Sequence, residues 1–122
     1  MRLHHVQVSC PAGSGELLRE FYVGVLGLTE VEKPPVLAAR GGAWFRDGAV
    51  AAQGVLEIHC GVEPDFRPAR KAHPGIGVDD VEALAAVVSA AGGEVRWDTS
   101  IPGLRRFHTD DSVGNRLEFM QN

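Results

Sequence analysis

The sequence predicts an α+β domain in which one strand–helix–three-strand unit occurs twice. Alternating apolar residues mark the strands, an apolar stripe at helical spacing marks each helix, and the two halves match in order. "HHVQV…ELLREFYVGVLGL" aligns with "HPGIGV…EALAAVVSAAGG", and "LEI" at 56–58 aligns with "LEF" at 117–119. Neither half could cover its sheet alone, so we expect one domain, 1–122, made of two modules at about 1–63 and 72–122 with a linker at 64–71.

The first half begins with the strand "LHHVQVSC", which "PAGSG" ends. Ser14 is the expected N-cap of the helix "GELLREFYVGVL", and Gly27 suits a left-handed C-cap. The apolar face of this helix consists of Leu17, Leu18, Phe21, Tyr22 and Val25. Four short extended pieces follow, namely "LTEVEK", "VLAARGG", "AWFRDG" and "GVLEIHCGV".

The second half repeats this order after "EPDFRPARKA", whose two prolines and mixed charge indicate a linker. The strand "HPGIGV" leads into the helix "DDVEALAAVVSAAGG". Asp79 or Asp80 is the expected cap at its start, and Gly92 or Gly93 ends it. The last three strands are "EVRWDTS", "LRRFHTDD" and "NRLEFMQ".

Composition excludes several classes of protein. The 122 residues, 44% of them hydrophobic, are enough for one domain with a real core. A net charge of −4 gives no basic footprint for nucleic acid, and no apolar run is long enough to span a membrane. The N-terminus does not resemble a secretory signal, so we expect a cytoplasmic protein. Cys10 and Cys60 are too few for a disulfide framework and are expected to be small buried hydrophobes.

One face of the predicted strands carries ionisable side chains. Apolar residues of each strand must meet the helices, so the opposite face lines the concave side of a curved sheet. That face carries His5, Glu57, His59, His73 and Glu118. Imidazoles together with carboxylates are a ligand set for a divalent metal. The alternative explanation is that this face is polar only because it is exposed to solvent, as one face of an antiparallel sheet often is. The recurrence of His and Glu at equivalent places in both halves favours a site.

These motifs resemble the vicinal oxygen chelate superfamily, which includes glyoxalase I, fosfomycin and bleomycin resistance proteins, extradiol dioxygenases and methylmalonyl-CoA epimerase. The resemblance rests on "LHHVQV", "REFYVGVLGL", "HPGIGVDDVEAL…AAGGEV" and "VGNRLEF" and covers nearly the whole chain. It implies paired βαβββ modules that form a curved, barrel-like mixed sheet with the helices outside, a metal between the modules, and a homodimer. The usual "DPxGN" turn appears here as "DDSVGN".

Carried over by motif, the ligands of the superfamily fall on His5, Glu57, His73 and Glu118. His59 lies on the same face as Glu57 and is an alternative or additional ligand. With two His and two Glu, the site resembles glyoxalase I and the epimerase. There a Lewis-acid metal makes a C–H proton removable, with Glu57 and Glu118 as the catalytic carboxylates. Without Glu57, a 2-His-1-carboxylate triad would suit Fe(II) and O₂. The metal is expected to be Zn, Ni, Fe, Mn or Co.

The expected substrate is a small oxygenated molecule, which a lyase, isomerase or dioxygenase would transform. Arg40, Trp44 and Arg106 are the expected substrate contacts, and an arginine would suit an anionic group. No insertion is long enough to form a dedicated thiol-conjugate pocket, which argues against glyoxalase I activity itself. The alternative is a metal-free drug-binding protein like the bleomycin resistance proteins, and a third hypothesis is a purely structural dimer module. The phase of His108 on its strand is left open.

Overall fold

The structure is a computed structural model that describes residues 1–48 and 55–122. Gly54, the first residue of one expected strand, lies outside these ranges. The strands are β1 Val6–Cys10, β2 Thr29–Val31, β3 Ala43–Arg46, β4 Glu57–Val62, β5 Gly75–Val78, β6 Arg96–Asp98, β7 Arg106–Asp110 and β8 Arg116–Gln121. The helices are α1 Gly15–Arg19, continued by π-helical turns over Glu20–Val25, then α2 Pro35–Ala38 and α3 Val81–Ala90.

The strands form two four-stranded sheets with the same topology. The first sheet has the order β1-β4-β3-β2 and the second has the order β5-β8-β7-β6. In each sheet the first pair in that order is parallel and the other two pairs are antiparallel. This confirms the predicted α+β fold of paired βαβββ units, with the refinement that the strands make two sheets rather than one continuous sheet.

The core lies between the apolar strand faces and the helices, as the alternation predicts. It is built from aromatic and aliphatic side chains of both sheets and of α1, its π-helical continuation and α3. Its largest fully buried members are Tyr22, Phe45, Phe107, Leu18, Ile58, Leu117, Val81 and Val88. Phe45 faces this core, so its neighbour Trp44 faces the opposite side of the first sheet. Cys10 and Cys60 are both free and buried, as expected.

The helices differ from the sequence prediction at two points. "VLAARGG" was expected to be extended, and this was wrong, because α2 includes its first three residues, Val36 to Ala38. Pro35 occupies the first helical position, where its missing N–H costs nothing, and Leu37 and Ala38 both donate to the Pro34 carbonyl. Ser14 precedes α1, but its hydroxyl donates to the Pro11 carbonyl instead of capping the helix. None of the helices in the described ranges is long and apolar enough to cross a bilayer.

The turn between β7 and β8 fixes the register of the strands that carry the candidate site. The carboxylate of Asp111 accepts hydrogen bonds from the backbone N–H groups of Val113 and Asn115. Gly114 has φ of 97°, a left-handed conformation that suits glycine. These hydrogen bonds and the glycine conformation hold the turn in a sequence that has no proline there. It sets Asp110 opposite Arg116, and the pairing along both strands follows from that.

Candidate metal centre and neighbouring cavity

The second sheet brings three possible metal ligands onto one face. Glu118 lies on β8, between β7 and β5. His108 of β7 pairs directly with Glu118, so the two side chains point to the same side. Gly75 of β5 pairs with Glu118 on its other flank, and His73 precedes Gly75 by two residues. Two residues along an extended chain restore the direction of a side chain, which brings His73 to the same face.

The carboxylate of Glu118 is buried and contacts two partners. The side chain of Arg106 donates from Nη1 to Oε1 at 2.5 Å, and His73 Nε2 lies 3.0 Å from Oε2. Only 6% of Glu118 is exposed. Burial raises the pKa of Glu118, but the hydrogen bonds with His73 and Arg106 outweigh it, so the pKa lies below its ordinary value. The group is therefore an anion held in a fixed orientation at neutral pH.

His108 is buried beside this carboxylate without a hydrogen bond on its outer nitrogen. The residue is 4% exposed, and its Nε2 has no hydrogen-bond partner in the part of the chain that the structure describes. That nitrogen lies 3.8 Å from Oε2 of Glu118, which is beyond hydrogen-bonding distance. Burial, followed by the positive charge of Arg116, lowers the pKa of His108, so the neutral imidazole is favoured.

The donor set fits a divalent metal. His73, His108 and Glu118 each offer one ligand atom, and these atoms lie within 4.8 Å of one another. A neutral imidazole offers a lone pair and the carboxylate offers charge, which together suit first-row divalent cations. The buried Nε2 of His108 has no hydrogen-bond partner in the described ranges, which is compatible with a metal ligand, because buried polar atoms rarely go unpaired.

The first sheet carries a second polar cluster. Glu57 and His59 lie on the same face of β4, with Oε1 of Glu57 2.7 Å from Nε2 of His59. The imidazole of His59 is stacked between two rings, His5 and Trp44, with both centroid distances at 4.1 Å. Hydrogen bonding with His59 lowers the pKa of Glu57. Burial lowers the pKa of His59, partly offset by Glu57.

This cluster forms part of the wall of a cavity of about 550 Å³. Trp44, Glu57 and His59 line it, and Lys33 and Arg40 contribute positive charge. The Lys33 ammonium also lies 5.9 Å from the centroid of the Trp44 ring. A volume of this size accommodates a small organic molecule, and its lining offers a flat aromatic surface next to cationic groups.

The sequence-predicted site residues fall into these two groups. His73, Glu118 and Arg106 meet on the second sheet, whereas His5, Glu57, His59, Trp44 and Arg40 surround the cavity on the first sheet. Within residues 1–48 and 55–122, a single group of three or more side chains has its possible ligand atoms within 4.8 Å of one another. It consists of His73, His108 and Glu118. Within a single chain, His5 and Glu57 therefore do not join His73 and Glu118, and the four-ligand set stays a prediction.

The phase of His108 on its strand, left open by the residue pattern, follows from the turn that precedes β8. The turn "DDSVGN" sets Asp110 opposite Arg116. Counting two residues outward along each strand from that pair gives His108 opposite Glu118. The register of the hairpin, once its turn is recognised, thus assigns His108 to the same face as Glu118.

The fold and the two clusters define a class: a small protein of two βαβββ units with possible metal ligands on the sheet faces opposite the core. Residues 2–119 match the family model of the Glyoxalase/Bleomycin resistance protein/Dioxygenase superfamily. The chain belongs to this superfamily, which confirms the resemblance recognised in its motifs.

Individual relatives support the same assignment. Lactoylglutathione lyase of Haemophilus influenzae is 30% identical over 109 residues, which are 84% of this chain and 81% of that protein. The crystal structure of a glyoxalase family protein from Bacillus anthracis has a TM-score of 0.89 at 40% identity, covering 100% of this chain and 95% of the other. An antibiotic-binding protein from Streptomyces, TnmS3, shares the fold with a TM-score of 0.68 at 23% identity, over 99% of this chain and 98% of the other.

Proposed function

We propose that this protein is a divalent-metal-dependent enzyme of the glyoxalase class that acts on a small oxygenated substrate. The observation behind this proposal is the cluster on the second sheet, where a buried, ionised Glu118 lies beside two imidazoles. The relationship to a lactoylglutathione lyase, whose name specifies an oxygenated substrate, supports the same class of activity. Isomerase, lyase and dioxygenase reactions are all compatible with this ligand set.

A bound metal would act as a Lewis acid that polarises oxygen atoms of the substrate, with His73 and Glu118 among its ligands. Arg106 holds one oxygen of Glu118, which keeps the carboxylate oriented and leaves the other oxygen toward the imidazoles. The pair Glu57 and His59 is suited to take up a proton, because a carboxylate in contact with an imidazole can accept it and pass it on. Glu57 and Glu118 are therefore the proposed catalytic carboxylates.

The substrate would occupy the cavity on the first sheet. Trp44 offers a ring face that is already aligned by its stacking on His59. Arg40 lines the same cavity and would pair with an anionic or strongly polar end of the molecule. These contacts favour a flat or unsaturated substrate with a negative group.

We also propose a homodimer, because the two clusters lie on different sheets of one chain. If the cavity of one copy faced the Glu118 cluster of another, His5 and Glu57 would approach His73 and Glu118 across the interface. Light scattering coupled to gel filtration would test this directly. A mass of two chains at micromolar concentration supports the proposal, and a mass of one chain contradicts it.

Metal analysis tests the proposed function. The tag-free protein is stripped with a chelator, reloaded with one divalent ion at a time, desalted and measured for bound metal. We expect near-stoichiometric metal in the wild type, little metal in Glu118→Gln, and wild-type metal in Glu32→Gln, which removes an exposed carboxylate. If the wild type retains no Zn²⁺, Ni²⁺, Mn²⁺, Co²⁺ or Fe²⁺, the metal-dependent function is wrong.

A second candidate is a metal-free small-molecule binder. It is favoured by the stacked rings of His5, His59 and Trp44 beside a cavity of about 550 Å³. The fold of an antibiotic-binding protein is compatible with it. Quenching of Trp44 fluorescence by flat aromatic ligands in the chelated protein, unchanged on adding metal, would support this candidate. The variant Trp97→Phe controls for the other tryptophan, which lies on β6.

A further inference from the structure

We propose that a cavity between β1, the linker and the start of β8 binds the oxyanion group of a small organic molecule, and that Arg116 recognises this group. This linker cavity has a volume of about 430 Å³, and Arg116, Arg67 and Ser9 are among the residues that line it. It is distinct from the cavity on the first sheet that contains Trp44. The inference concerns the protein without a bound metal and does not depend on the proposed reaction.

Arg116 carries a positive charge that makes no ion pair with a carboxylate in the described ranges. The register of the β7–β8 hairpin places Asp110 opposite Arg116. Both carboxylate oxygens of Asp110, however, accept hydrogen bonds from Arg96, at 2.7 and 3.2 Å. The Nε of Arg116 is buried and has no hydrogen-bond partner among the described residues. Because buried polar groups are normally paired, this nitrogen points to a partner that lies outside these residues.

A comparison with Arg106 shows why Arg116 stands apart. The Nε of Arg106 is also buried without a hydrogen bond, but its Nη atoms donate to Glu118 and Asp98. The guanidinium of Arg116 has no such contact within residues 1–48 and 55–122. The contacts of Arg106 therefore explain its position, whereas the guanidinium of Arg116 is available to a ligand.

The surroundings of Arg116 carry more positive than negative charge. The ionisable residues that line the linker cavity are Arg67, Arg116, Glu63 and His73. A neighbouring cavity of about 400 Å³ shares Arg116 and adds Arg70. This local excess contrasts with the net charge of −4 for the whole chain. Fixed positive charges raise the local concentration of anions, and the planar fork of a guanidinium matches a carboxylate or a phosphate.

The free edge of β1 adds hydrogen-bond donors to the same cavity. β1 is the outermost strand of its sheet, so one of its edges is not paired with another strand of that sheet. The Ser9 carbonyl accepts from Asn115 Nδ2 at 2.8 Å, so the Ser9 N–H is directed toward the same side of the strand. Gln7 has the same direction two residues earlier, and both residues line the cavity. Their N–H groups would share an oxyanion with the guanidinium of Arg116.

The remaining wall favours an anion with a small hydrocarbon body. Its apolar lining residues are Val6, Val8, Ala69, Ala72 and Pro74. A volume of about 430 Å³ is within the range of small-molecule sites. The charged end of such a ligand would pair with Arg116 while its hydrocarbon part contacts these side chains.

Anion titration of the full-length protein tests the inference. Metal and chelator are removed first, because either would compete for the anion or for the site. NMR then follows the Nε–H signal of Arg116 and the Ser9 amide during addition of butanoate, inorganic phosphate or, as an uncharged control, butan-1-ol. We expect both signals to shift with the anions and not with butan-1-ol. Tighter binding of butanoate or of phosphate would identify the oxyanion as a carboxylate or a phosphate, and either supports the inference.

Two variants locate the bound anion. Arg116→Gln should weaken anion binding about 10-fold, which corresponds to loss of a contact of about 1.4 kcal/mol. The matched control Arg40→Gln removes a cation from the cavity on the first sheet and should change the affinity less than about 2-fold. Circular dichroism checks that both variants are folded, and the wild-type titration stands without them.

Three results would overturn the inference. Arg116 and Ser9 signals that stay unshifted throughout the wild-type titration show that the cavity takes no anion. Loss of binding in Arg40→Gln but not in Arg116→Gln places the anion in the cavity on the first sheet. A fall in mass from two chains to one in Arg116→Gln shows that this guanidinium pairs with a second copy instead of a ligand. Because the protein is free of metal, none of these results bears on the metal analysis that tests the proposed function.

Discussion

Replacement of Arg106 by methionine tests whether the carboxylate at the centre of the site depends on this guanidinium. Arg106 Nη1 donates to Glu118 at 2.5 Å, and the two side chains are 14% and 8% exposed. A hydrogen bond between charged groups contributes about 1.5–3 kcal/mol to the stability of the folded protein. Removal of a donor from a buried carboxylate costs at least that much stability, because the carboxylate stays buried. We therefore expect Arg106→Met to lower the free energy of unfolding by about 2–3 kcal/mol in the chelated protein at pH 7.

The matched control is Arg96→Met on the neighbouring strand β6. Arg96 pairs with Glu94 and Asp110, but its side chain is 35% exposed. Pairs of this kind contribute roughly 0–1 kcal/mol because water and salt screen them. Urea unfolding followed by circular dichroism measures both variants. Equal losses for Arg106→Met and Arg96→Met would refute the reasoning.

The same variant should change the dependence of stability on pH. The pKa of Glu118 lies below its ordinary value of 4.5, so the contribution of this carboxylate is present above that value and is lost as the pH falls through the folded-state pKa. Without Arg106 the folded-state pKa rises, because one of the two bonds that lower it is gone. We expect the acid loss of stability to begin at higher pH in Arg106→Met. Superimposable wild-type and variant acid profiles would contradict this.

Three further predictions concern the fold. Gly42→Ala should be strongly destabilising in thermal unfolding, because an added Cβ would lie 2.1 Å from the Cys60 carbonyl oxygen. The control Gly92→Ala is also at positive φ, but an added Cβ there has no atom within 4 Å, so it should cost only about 1 kcal/mol. Burial raises the pKa of the Cys60 thiol to about 12, so this thiol should resist alkylation at pH 8. The free energy of unfolding should fall as the pH rises above 9, because the thiol then ionises in the unfolded chain but not in the folded one. Asp111→Ala should cost about 2–3 kcal/mol in urea, more than Asp111→Asn, because it removes the acceptor of the buried Tyr22 hydroxyl.

The sequence alone predicted the architecture well because the signals for it are local. The alternation of apolar residues in strands such as "VQVSC" and "RLEFMQ" and the helical stripe of α3 do not depend on distant contacts. The cap of α3 was also predictable, because Asp79 and Asp80 are the acidic residues before the helix. The structure shows Asp80 as the N-cap, with its side chain accepting from the Ala83 N–H. The short helix α2 was missed because four residues give too little periodicity to distinguish a helix from an extended piece.

The site was less predictable, because it depends on register and on which sheet each strand joins. The polar face of each strand was identified from alternation, and Trp44 and Phe45 do point to opposite sides. Alternation does not say how far apart the polar faces of β4 and β8 lie. His5 and Glu57 thus form one cluster with His59, while Glu118 forms another with His73 and His108. Only the pairing of β7 with β8 shows that His108 lies beside Glu118.

The most direct test of this account is a crystal structure of the Co²⁺-loaded protein with anomalous diffraction recorded at the cobalt edge. We expect one strong anomalous peak per chain, about 2.0–2.2 Å from the side-chain ligand atoms of His73 and Glu118. A peak bound by neither His73 nor Glu118, or no peak in protein that binds Co²⁺ in solution, would contradict it.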